Sequence, residues 1–158
     1  MARSTPVAIV GRGSTDYLEK FGPMLKLLDS EADLDFLAAE EGYDSEIGDQ
    51  YRTVRYQGLQ GYRQDLIADF EALYTVAAPI AVTHPELAQL LSGTCKTLRT
   101  SIRYIGFRMW LELILPAPSP AKGPRPLRRL LVSIVPRLQT PRNLLEAMNT
   151  IRDQLQPR

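Results

Sequence analysis

The chain has 158 residues, 44% apolar and 23% charged, with a net charge of +1, which fits one globular domain with a real core. Its single cysteine, Cys95, excludes an intramolecular disulfide, and with one histidine it also excludes a four-ligand Cys/His zinc site within the chain. No apolar run reaches the roughly 18 residues of a membrane span and no secretory signal core is present, so an intracellular, cytoplasmic protein without a transmembrane segment is expected.

The near-neutral total hides a strong asymmetry. Residues 1–92 hold 7 Lys/Arg and 15 Asp/Glu, a net of −8, whereas residues 93–158 hold 12 and 3, a net of +9. Ten of the 12 cations in the second part are arginine, the side chain suited to bidentate contact with phosphate or carboxylate. Such a division points to an electrostatic partnership, within the chain or between molecules.

Residues 1–14 read as an extended arm, with a strand-like piece at Val7–Val10. Asp16 and Glu19 have the spacing of a helix N-cap and its third-position partner. The Gly22–Pro23 step restarts a helix, since proline is tolerated in a first turn. Ser30 with Asp33 marks a weaker start before Leu34, Leu37 and Ala38. Residues 40–53, EEGYDSEIGDQYRT, are polar and turn-rich and read as a loop. Residues 54–78 then form an amphipathic helix. Its inner face carries Leu59, Tyr62, Leu66, Phe70, Leu73 and Ala77, and Pro79 is expected to end it.

Thr83, Pro85 and Glu86 form a second start signal, with Thr83 as the cap. One stripe, Leu87, Leu91, Leu98, Ile102, Ile105, Met109 and Leu113, then runs toward Pro116. It predicts a helix over 84–115, about 45 Å long at 1.5 Å per residue. Near its end YIGFRMWLELIL is apolar almost all round, a sign of burial on several sides. Residues 117–126 are a proline-rich, stiff linker. Leu127, Leu130, Leu131, Ile134 and Leu138 line one face of a basic segment interrupted by Pro136. Thr140–Pro141 opens a last helix with Leu144, Met148, Ile151 and Leu155 as its stripe. The fold expected is all-α: a single domain, an irregular helical bundle around one long central helix (about 84–115), with an extended N-terminal arm. Residues 15–116 form the main bundle and 127–158 a basic C-terminal helical pair.

Enzyme chemistry and cofactors are not expected. VAIVGRGSTD (Val7–Asp16) imitates a dinucleotide-binding start. However, Asp16 stands where the third glycine belongs, Pro23 breaks the helix that would hold the phosphate, and no lysine of a P-loop follows. The acidic tract Asp29–Asp49 lacks the alternating spacing of a calcium loop and reads as solvated surface. His84, beside a helix-start proline, reads as a surface residue, and Cys95, near the apolar stripe, as a buried thiol. No acid–base set converges.

The basic part carries the candidate sites. Lys96, Arg99 and Arg103 share one helix face. With Arg108, Arg128, Arg129, Arg137 and Arg142 they are the candidate anion- or nucleic-acid-binding residues. The aromatics interleaved among them suit base stacking. Tyr104, Phe107, Trp110 and Leu111 are the candidate partner interface. The function expected is a non-enzymatic helical protein–protein interaction module, self-associating or binding another protein. The alternative is RNA or anionic-membrane binding through the basic part. For a membrane surface the segment Arg125–Leu138, basic on one face and apolar on the other, is the candidate.

Overall fold

The computed structural model describes residues 15–29, 39–42, 44–114 and 139–156. The expectations for the arm 1–14, the start at Ser30–Asp33, the linker 117–126 and the segment 127–138 lie outside these residues, as do Arg128, Arg129 and Arg137. The described residues are all-α, with helices α1 (Tyr17–Lys20), α2 (Gly22–Asp29), α3 (Ser45–Ala81), α4 (Pro85–Ile114) and α5 (Gln139–Leu155).

Helices α3 and α4 form an antiparallel hairpin joined by the three residues Val82–His84. The core gathers Leu59, Leu66, Phe70, Leu73 and Ala77 from α3, with Leu87, Leu91, Ile105 and Met109 from α4. Helix α5 packs on both, burying Leu144, Leu145, Met148 and Ile151. Phe21, Met24 and Leu28 bring α2 against α3. The apolar spacings of three and four residues thus met the faces they were expected to form. Five positions depart from this. Tyr62, Leu98, Ile102 and Leu155 are only half-buried, and Leu113 is 62% exposed, where the stripe leaves the buried face in the last turn of α4.

Several helix boundaries follow their local chemistry. Asp16 caps α1 and its carboxylate accepts the Leu18 N–H at 2.9 Å. The same carboxylate accepts from Asn149 Nδ2 at 2.9 Å, while Asn149 Oδ1 accepts the Tyr17 N–H at 2.9 Å. Arg152 donates to the Thr15 carbonyl. Asp16, Asn149 and Arg152 therefore clasp the start of α1 to α5.

Other boundaries differ from expectation. Residues 45–53 are helical, not a loop: Asp44 is in extended conformation and its side chain accepts the Ile47 N–H at 2.9 Å. The turn that does occur nearby uses Gly42 at φ 81°, a region open to glycine at little cost. Pro79 lies inside α3, which continues to Ala81. It is in the last turn, where losing one N–H breaks one bond rather than a ladder. Thr83 does not cap α4. Its hydroxyl turns back to the Ile80 carbonyl at 3.2 Å, and His84 supplies the carbonyl that accepts the first bond of α4, from the Ala88 N–H at 3.0 Å.

Candidate interaction face

The cations of α4 divide by helix geometry. Lys96, Arg99 and Arg103 are all exposed. Steps of three and four residues continue the same row through Phe107, Trp110 and Ile114. At 100° per residue these six positions occupy an arc of about 80° on α4, with Leu113 just beyond its edge. Phe107 is half-buried, whereas Trp110, Leu113 and Ile114 are 52%, 62% and 49% exposed. The Phe107 and Trp110 rings lie 5.8 Å apart between centroids, tilted by 35°. The row is therefore cationic over its first half and aromatic–aliphatic over its second.

No carboxylate among the described residues forms an ion pair with Lys96, Arg99 or Arg103. The acidic residues of α4 are Glu86, in its first turn, and Glu112, which is buried. Among the described residues, the row thus presents positive charge without an ion-pair partner.

Four expected site residues belong elsewhere. Arg108 is 1% exposed: it faces into the bundle and is not part of a surface for phosphate. Tyr104 and Leu111 are 8% and 2% exposed, so they support the fold and are not open to a partner. Arg142 is exposed on α5, where its Nε lies 3.5 Å from Glu146 Oε1, one turn along. Of the expected interface, Phe107 and Trp110 stand on the surface. Leu113 and Ile114 complete it and were not anticipated. Their signal was angular, because both lie 40° or more from the buried arc that Ile105 and Met109 define.

Behind this face sits a buried ionic cluster that the sequence reading also missed. Arg55 of α3 and Glu112 of α4 are 2% and 3% exposed, with Arg55 Nε 3.5 Å from Glu112 Oε1. Arg55 Nη2 also donates to the Leu27 carbonyl near the end of α2. A helix leaves its last four carbonyls without internal donors, and a cation there also meets the negative end of the dipole. Arg55 thus ties three helices together. The available signal was the pair of charges, Arg108 and Glu112, four residues apart within an otherwise apolar run. Charges that such a run carries into a core need partners there.

The remaining features offer little chemistry. An open depression of about 480 Å³ between α4 and α5 is lined by Glu86, Leu90, Gly93, Thr94, Thr97 and Ala147. It brings together no acid–base pair among the described residues. Cys95 is half-buried and free. His84 is exposed, with Nδ1 2.9 Å from Thr83 Oγ1 and 3.2 Å from the Ile80 carbonyl, and this makes it part of the hairpin turn. Among the described residues, no cluster of three or more His, Cys, Asp or Glu is placed to hold a metal, and no helix is long and apolar enough to cross a membrane. The chain matches no protein-family model, no curated protein and no solved structure.

Proposed function

We propose that the protein is a non-enzymatic helical interaction module whose docking face is the outer row of α4. The observation that carries this is the exposure of Trp110, Leu113 and Ile114 beside half-buried Phe107, contiguous on one helix. Large apolar side chains scattered singly over a surface need no explanation, whereas a contiguous group does. Trp110 is the only tryptophan in the chain, so its fluorescence reports on this face alone. When the face is covered, Trp110 emission shifts to shorter wavelength and acrylamide quenches it less. Emission and quenching that stay at solvent-exposed values with rising protein concentration, with heparin and with anionic vesicles overturn the proposal.

One observation favours a second reading, polyanion binding. Among the described residues, Lys96, Arg99 and Arg103 form no ion pair with a carboxylate. Three cations releasing counterions from duplex nucleic acid give a log–log salt slope of about −2.7. A much flatter slope, or unchanged binding by the Arg99→Glu/Arg103→Glu variant, excludes this row as the contact.

A further inference from the structure

Resting on the reading of α4 as a docking face, we infer that the occupant of the face is α4 of a second copy, lying antiparallel. The order of residues along the row carries this inference. Lys96, Arg99 and Arg103 precede Phe107, Trp110, Leu113 and Ile114. Two such rows laid parallel place cation against cation. Laid antiparallel, in the register that sets Arg103 opposite Phe107, they place Arg99 beside Trp110 and Lys96 beside Ile114 of the other copy. Each guanidinium then meets an aromatic ring, an attraction of about 0.5–2 kcal/mol depending on desolvation. The two cationic halves lie at opposite ends of the contact, away from each other.

A further feature fits the same register. Gly106 falls next to the centre of the row, where two helices cross most closely, and a side-chain carbon added there meets nothing within 4 Å of its own molecule. The contact is isologous, so it closes as a dimer and does not propagate.

The test combines sedimentation velocity on the full chain with cysteine cross-linking in a Cys95→Ser background. A concentration-dependent dimer is expected. Trp110→Glu, at an exposed site, weakens it about thirtyfold or more while leaving the helical circular dichroism unchanged. Gly106→Cys forms a disulfide-linked dimer under mild oxidation. Lys96→Cys does not, because antiparallel pairing separates the two copies of residue 96 by about 27 Å along the axis, and a disulfide needs Cα atoms within about 7 Å. Equal cross-linking at both positions overturns the antiparallel arrangement. A monomer at every concentration overturns self-pairing altogether. If that monomer binds heparin or anionic vesicles and the Arg99→Glu/Arg103→Glu variant does not, the occupant is wrong but the docking face stands. If it binds neither, both readings fall.

Discussion

Arg55 of α3 and Glu112 of α4 face each other across 3.5 Å with their side chains 1% and 2% exposed. Desolvating two such ions costs several kcal/mol each, so the pair adds little net stability over apolar residues, but breaking it strands a buried charge. Glu112→Leu is expected to cost about 3–5 kcal/mol in urea denaturation. Adding Arg55→Met recovers much of this loss. Recovery is incomplete, because the Leu27 carbonyl loses the Arg55 donor. A double variant no more stable than Glu112→Leu alone contradicts this account.

The clasp at Asp16 makes stability depend on acid. The hydrogen bond from the Asn149 amide is the main influence holding the Asp16 carboxyl below its ordinary value of 3.8. The Leu18 and Glu19 backbone bonds and nearby Arg152 act in the same direction, against a smaller opposing effect of desolvation. A carboxyl with a lowered folded-state pKa stabilises the fold above its unfolded value, and the contribution is lost as pH falls through the folded one. Asp16→Asn is therefore expected to be less stable than wild type at pH 6. The gap should narrow as pH drops below about 4. Thermal melts across that range check it, and a gap that widens in acid is the contrary result.

Ser101 is wholly buried in α4, and its hydroxyl finds no hydrogen-bond partner among the described residues. Its neighbours Thr94, Thr97 and Thr100 each donate to a carbonyl one turn back. A buried hydroxyl without a partner costs about 1–3 kcal/mol of desolvation. Ser101→Ala removes that cost and improves helix propensity, so its melting temperature should rise. A fall of several degrees shows that the hydroxyl is in fact bonded.

Pro79 lies near the end of α3 on its exposed side. Pro79→Ala restores an N–H toward the Thr75 carbonyl and is expected to stabilise the protein by about 1 kcal/mol or more, less than the full helix-interior penalty of about 3. Proline also limits the unfolded chain, which offsets part of this gain. Chemical denaturation of the variant measures the difference.

The helical faces were legible because spacing fixes which side of a helix is apolar. Leu66, Phe70 and Leu73 were found by that rule, as were Leu144, Met148 and Ile151. The start of α3 was not legible. Its first turns are polar, and what holds them is an N-cap at Asp44 and the later seating of Arg55, neither of which periodicity reports. Arg108 was misplaced for a related reason: a sequence shows that a side chain is charged, not which element it faces. The row from Lys96 to Arg103 was legible, as were Phe107 and Trp110, but its completion by Leu113 and Ile114 was not. The apolar all-round character of that stretch hid which of its residues the bundle leaves uncovered.

The three-residue link between α3 and α4 has a kinetic consequence. Residues beside the turn, such as Ala81 and Leu87, meet after closing a very short loop, whereas Arg55 and Glu112 are 57 positions apart. Loop closure is the entropic obstacle to early contacts, so the hairpin is expected to zip from its turn toward its open end, with the ion pair forming last. Substitutions at Arg55 and Glu112 should then have φ-values near 0, speeding unfolding while barely changing the folding rate. Ala77 and Leu87 should show the reverse. On that order the buried ions sit where the closing structure is last to exclude water, and they are expected to keep their hydration until the helices beside them have packed.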